Sequence, residues 1–107
     1  MDKKKPSFSL KKFKELFRNA KTREVTKVST KGAASLGYMD INEIMDVIDN
    51  LDKRDFYKSM SSTVDSNIWQ DVYKTNDQDN KIYIKLQMSI DKKKAILVQF
   101  KENTEDI

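Results

Sequence analysis

The chain contains no cysteine and no histidine. Disulfides, thiol nucleophiles, zinc sites and any Ser-His-Asp relay are therefore excluded, and no cofactor is expected. Glycine occurs twice and proline once among 107 residues, so each is a distinct mark of punctuation along the chain. No apolar run approaches membrane-spanning length, which argues against a membrane partner. The N-terminal MDKKKP carries basic residues with no apolar stretch behind them, so no secretory signal is read there and a cytoplasmic protein is expected.

Charge, by contrast, is abundant. Lys and Arg number 21 against 17 Asp and Glu, giving a formal charge of +4, with 37% hydrophobic and 36% charged residues. That balance is very polar, yet regular apolar spacing in several segments argues for folding rather than disorder. At this length the expectation is one small domain, residues 1–107, with one core. The excess of cations suits an anionic partner, because Lys and Arg release counterions when they neutralise phosphates. Solubility alone would explain the same charge.

Met1 to Phe8, polar and holding the proline, reads as a mobile arm. Ser9 is placed to cap a first helix, Leu10 to about Lys21, with Leu10, Phe13, Leu16 and Phe17 on one stripe and Lys11, Lys12, Lys14 and Arg18 away from it. Those cations form either a solvated face or a phosphate-contacting rim. Thr22 to Val28, rich in β-branched residues, is a short strand or an extended connection. Lys31 to Leu36 is a brief helix that Gly37 would end in the left-handed conformation. Asp40 followed by Glu43 makes a capping box, and Ile41, Ile44, Met45, Ile48 and Leu51 recur at helical spacing.

After a charged turn, Asp52 to Asp55, the segment from Phe56 to Asn67 lacks a sustained period and reads as a loop, with or without an opening helical turn. Three strands follow: Ile68 to Lys74, Lys81 to Met88 and Ala95 to Lys101, separated by TNDQDN and DKKK. The spacing predicts an antiparallel meander, and helices before strands make an α+β domain with two or three helices covering one sheet face. Residues 103–107 read as a frayed tail.

In the second strand Ile82, Ile84, Leu86 and Met88 face one way and Tyr83, Lys85 and Gln87 the other. In the third, Ile96, Val98 and Phe100 alternate with Leu97, Gln99 and Lys101. One face is aliphatic and belongs to the core. The opposite face offers a phenol at Tyr83 and an ammonium at Lys101, beside Lys85; Gln70 can join it from the preceding strand and Lys58 can fold over it from the loop. Such a face on a basic protein is a platform for a phosphodiester. RNA can be cut without water or metal when its own 2′-hydroxyl attacks the adjacent phosphorus. The protein must then accept a proton, stabilise charge on phosphorus and protonate the departing oxygen. Without histidine the candidates are Lys, Tyr, Arg and carboxylates, and a lysine crowded by other cations has its pKa lowered toward the working range. Trp69, Phe56 and Tyr73 are assigned mainly to packing, and Asp55 and Asp71 to orienting cations or capping a turn.

DFYKSM (55–60), IWQDVY (68–73), KIYIKL (81–86) and ILVQFKE (96–102) resemble the MqsR family of bacterial type II toxins, which are RelE-like endoribonucleases. Upstream of these segments the likeness lies in spacing more than identity. The resemblance implies a RelE-like fold and an mRNA interferase. It also implies site residues at Lys58 in FYKSM, Gln70 in IWQDVY, Tyr83 in IYIKL and Lys101 in FKE. On that pattern Lys58 and Lys101 bind phosphate and stabilise charge, Tyr83 transfers a proton or positions the 2′-hydroxyl, and Gln70 orients the phosphate or a base. It further implies a cognate MqsA-like antitoxin with a zinc-binding N-terminal part and a helix-turn-helix C-terminal part. Operator DNA would then be met only through the antitoxin complex. The competing readings are a non-catalytic RNA- or DNA-binding module using the same basic face, and a plain interaction protein.

Overall fold

A computed structural model describes residues 2–104. Among them the chain runs β1 (Asp2–Lys3), α1 (Leu10–Phe17), β2 (Arg23–Val25), α2 (Lys27–Ser35), α3 (Ile41–Asp49), a 3-10 turn (Lys53–Asp55), β3 (Phe56–Ser61), β4 (Trp69–Asp77), β5 (Asn80–Met88) and β6 (Ala95–Glu102). The six strands form one sheet in the order β1-β3-β4-β5-β6-β2. Every pairing is antiparallel except β2 with β6, which is parallel. This is an α+β architecture, as the order of helical and alternating patterns predicted.

Local chemistry accounts for the helix limits. The Ser9 side chain accepts the Lys12 N–H at 3.1 Å to start α1. The helix stops at Phe17, short of the expected Lys21, because the Asn19 side chain accepts the Lys21 N–H at 2.9 Å and closes a turn of its own. Helix α2 begins at Lys27 rather than Lys31. Thr26 caps it by accepting the Ser29 N–H at 3.1 Å, and packing against β6 overrides the extended preference of Thr26, Val28 and Thr30. Gly37, with φ +97°, ends it: the Tyr38 N–H reaches the Ala33 carbonyl and the Gly37 N–H that of Ala34, the paired bonds of a left-handed C-terminal cap. In α3 the expected capping box forms. Asp40 accepts from the Glu43 N–H at 3.0 Å, and Glu43 accepts from the Asp40 N–H at 3.2 Å.

The core joins Phe13 and Phe17 of α1, Ala33 of α2 and Ile44, Val47 and Ile48 of α3 to Tyr73, Ile82, Ile84, Leu86, Ala95, Leu97 and Phe100 of the sheet. Lys14 and Arg18, read as solvated or phosphate-facing, instead tie α1 to the end of α3. Lys14 Nζ donates to the Asp49 and Leu51 carbonyls, and Arg18 Nε lies 3.1 Å from the Asp49 carboxylate.

Two expectations are corrected. The arm is not a free segment: Asp2 and Lys3 pair with Met60 and Ser59 of β3, and Ser7 N–H donates to the buried Asp71 carboxylate at 2.9 Å. Asp71 also has its pKa raised by burial, with the Ser59 and Ser7 hydrogen bonds working against that rise. Of the segment expected as a loop, Phe56–Ser61 is instead β3, while residues 62–67 do form the connection to β4. The alternation of β3 is hidden because the strand is bulged and because its inward groups include the buried Ser59, paired with Asp71. The expected frayed tail lies mostly outside the described residues; within them, Asn103 N–H donates to the Lys81 carbonyl at 2.8 Å.

Candidate active site

Cross-strand register assembles the polar face row by row. Lys74, Tyr83 and Lys101 stand opposite one another on β4, β5 and β6. The next row is Lys58, Val72, Lys85 and Gln99, and the next Asp2, Met60, Gln70, Gln87 and Ile96. Since cross-strand partners project from the same side of a sheet, all three rows share one face. Lys58, Gln70, Tyr83 and Lys101, spread over more than forty positions of sequence, thus meet within three adjacent rows.

Two bulges make this possible. On β3 the partner of Tyr73 is Phe56 and that of Val72 is Lys58, so Tyr57 is an extra residue. Without it Phe56 and Lys58 would share a side. With it Phe56 packs edge-on to Tyr73 in the core, ring centroids 5.5 Å apart, while Lys58 turns to the polar face. On β6 Leu97 pairs with Leu86 and Gln99 with Lys85, leaving Val98 as the extra residue. The simple alternation expected for this strand is therefore wrong: Ala95, Leu97 and Phe100 are all buried in the core, and Gln99 and Lys101 face the other way. The carbonyls freed by the bulge are satisfied from α2. Thr26 N–H donates to Leu97 O at 3.2 Å, and the Thr26 hydroxyl donates to Val98 O at 2.8 Å.

The polar face has its own contacts. Lys101 Nζ lies 5.0 Å from the centre of the Tyr83 ring, and Lys74 Nζ lies 3.6 Å from that of Tyr57. Lys58 Nζ forms an ion pair with Asp2 Oδ2 at 3.2 Å and is 29% exposed. This hydrogen bond to Asp2, outweighing partial burial, holds the Lys58 ammonium above its ordinary pKa. Gln70, 9% exposed, donates its side-chain N–H to Gln87 Oε1 at 2.8 Å, which fixes both amides. Val72 is fully buried although it belongs to this face, and it is flanked in its row by the long stems of Lys58 and Lys85. Lys85 is half-buried, and desolvation, then the charges of Lys101 and Lys58, push its pKa down.

The four residues named from sequence, Lys58, Gln70, Tyr83 and Lys101, lie together on this face, and period-two counting from Tyr83 also places Lys85 and Gln87 beside them. It missed Asp2, Lys74 and Tyr57. Lys74 follows from counting two on from Val72, but nothing in the sequence signals that Asp2 returns to β3 or that Tyr57 is bulged. Trp69, alternating with Gln70 on β4, lies on the helix side, where Lys3 Nζ sits 4.0 Å from its ring centre. That residue lines a separate groove with Phe8, Lys12, Ile68, Met88 and Ile90, to which none of the four contributes.

A surface of cations, phenols and fixed amides on an open sheet can hold an anionic backbone and move a proton. Residues 5–102 match the sequence model of a family described as "Motility quorum-sensing regulator, toxin of MqsA". Over 102 residues, 95% of this chain and 99% of its relative, the chain is 35% identical to the mRNA interferase toxin MqsR of Escherichia coli strain K12. With the match running through every strand from β3 to β6 and through all three helices, this chain belongs to the MqsR toxin family.

Proposed function

We propose that this chain is the toxin of a type II toxin-antitoxin system. In this reading it is a RelE-like, metal-independent endoribonuclease that cuts single-stranded mRNA at short preferred sequences. The single observation that carries the reading is the convergence of Lys58, Gln70, Tyr83 and Lys101 on three neighbouring rows of one sheet face. The name of the Escherichia coli relative supports it.

The reaction needs no external nucleophile, because the substrate's 2′-hydroxyl attacks the adjacent phosphorus and leaves a cyclic phosphate and a 5′-hydroxyl. Lys58 and Lys101 bind the non-bridging oxygens and stabilise the charge that builds on phosphorus. Tyr83, with the Lys101 ammonium against its ring, donates a proton to the departing oxygen or holds the 2′-hydroxyl. Gln70, locked by Gln87, orients the phosphate or a neighbouring base. The toxin is neutralised by an antitoxin whose N-terminal part binds zinc and whose C-terminal part is a helix-turn-helix, and operator DNA is bound through that complex alone.

The test is incubation of purified protein with a long transcript in excess EDTA. The wild type should produce fragments ending in cyclic phosphate, and Lys58→Ala and Tyr83→Phe should each slow cleavage by at least about 100-fold. A protein that binds RNA with no scission is the non-catalytic module instead, and wild-type rates in both variants would overturn the assignment of roles.

A further inference from the structure

The four residues named above include two lysines, and each is engaged by a neighbour. Lys58 is ion-paired with Asp2 at 3.2 Å, and Lys101 lies against the Tyr83 ring. Lys74, the next cation on the face, lies 3.6 Å from the Tyr57 ring centre, an aromatic face that attracts an ammonium. Lys85 differs from all three. It stands at the middle of β5, on a strand flanked on both sides, and its row neighbours Val72 and Gln99 carry no charge. The titratable groups around it are Lys58 and Tyr57 from β3, Lys74 from β4, Tyr83 on its own strand and Lys101 from β6. Among the described residues, the carboxylates on this side of the sheet are engaged elsewhere: Asp2 with Lys58, and Glu24, opposite Ile96, with Lys94 at 3.5 Å.

We propose that Lys85 is the general base of the cleavage reaction, accepting the 2′-hydroxyl proton. This inference rests on the nuclease reading above and names the proton acceptor within it. Lys85 and Tyr83 are two residues apart on one strand, so their backbones are about 7 Å apart and their side chains can flank one phosphodiester. Neutral Lys85 Nζ takes the proton and becomes an ammonium. The 2′-oxygen electron pair forms the bond to phosphorus, the bond from phosphorus to O5′ breaks with its pair kept by O5′, and the Tyr83 phenol supplies a proton to that oxygen. Solvent then carries a proton from Lys85 back to the Tyr83 phenolate, restoring both. Partial burial and the two adjacent cations favour the neutral amine that the first step requires. An amine base is active when unprotonated, so the rate should climb with pH and level off above the lowered pKa of Lys85.

The experiment uses Lys85→Arg and Lys85→Ala, an oligoribonucleotide spanning a cleavage site mapped on the long transcript, and the same oligonucleotide with a 2′-deoxy sugar at that site. Arginine keeps the charge and cannot give up its proton. Lys85→Arg should lose at least about 100-fold in single-turnover rate and lose the rising pH limb, while binding the deoxy oligonucleotide within about threefold of wild type. Added methylamine should restore part of the Lys85→Ala rate. Lys85→Arg cleaving within about tenfold of wild type with the limb intact would show a charge role and sink the inference, leaving the nuclease reading standing. Loss of deoxy-oligonucleotide binding along with cleavage would make Lys85 a phosphate contact and sink it equally. A wild-type protein that binds both oligonucleotides and cuts neither would overturn the nuclease reading and, with it, this one.

Discussion

Asp2 places a carboxylate 3.2 Å from the Lys58 ammonium, on the surface assigned to phosphate. The pair has two opposed consequences. It keeps Lys58 protonated, and it occupies the cation that an incoming phosphate must reach. Both side chains are partly open to water, so the pair falls in the range of exposed ion pairs, about 0.2–1 kcal/mol after screening. Asp2→Asn should therefore tighten binding of a 2′-deoxy oligonucleotide by up to about fivefold at low salt. Fluorescence anisotropy measures this directly; weaker binding in the variant would mean that Asp2 orders Lys58 more than it competes for it. Gln70 makes a different point. Its amide is held by Gln87, so its orientation is set before any substrate arrives.

Helix α2 and the bulge on β6 act as one unit. Thr26 and Ser29 at the start of the helix donate to the carbonyls of Leu97 and Val98, and Gly32, one turn on, lies directly over Phe100. A Cβ at Gly32 would collide with the Phe100 carbonyl oxygen, a backbone atom that cannot swing aside, and would also approach the Lys101 Cα. Helix propensity favours alanine over glycine by about 1 kcal/mol. Here the close approach decides the sign: Gly32→Ala should destabilise the protein by about 1–3 kcal/mol in urea unfolding. Because the displaced strand carries Lys101, cleavage should also fall at temperatures where the variant remains folded. An unchanged or raised unfolding midpoint would refute the close packing of α2 on β6. The arm shows the same coupling of local bonds to placement, since Asp71 and Ser59 anchor Ser7 and so hold Asp2 beside Lys58.

The two sides of the sheet divide the molecule's physics. Helices and the aliphatic rows of β5 and β6 form one continuous core, and the other side carries Lys58, Lys74, Lys85 and Lys101. With a net charge of only +4, binding strength depends on where the positive groups stand rather than on the total. In the proposed reading Lys58, Lys74 and Lys101 are the cations that neutralise phosphates. The logarithm of single-strand affinity should then fall with the logarithm of salt concentration at a slope of about −2. A slope near that expected for the whole lysine population would mean that RNA wraps the protein without using this face. No helix among the described residues is long and apolar enough to cross a membrane.

Much of this was legible in the residues. Periodicity in Leu10–Phe17 and Ile41–Leu51, the Asp40–Glu43 box and the alternation of Lys81–Met88 each report a local bond or a buried stripe, and such signals survive folding unchanged. The four candidate residues were named through their likeness to a family, and the shared face of Tyr83, Lys85 and Gln87 was legible through simple alternation. What failed were the inferences that depend on partners distant in sequence. Phe56–Ser61 reads as a loop because its strand character is conferred by β1 and β4 on either side. Lys58 and Lys101 reach the polar face only because Tyr57 and Val98 are inserted into their strands, and a bulge is decided by which residues the neighbouring strand and helix will bury. The sequence by itself determined the α+β order, the helix caps and which residue types were available for chemistry, since these are properties of short windows. Only the tertiary structure decided that Asp2 returns to Lys58 and that Lys85 stands between two cations, because cross-strand register is fixed by contacts that no local window contains.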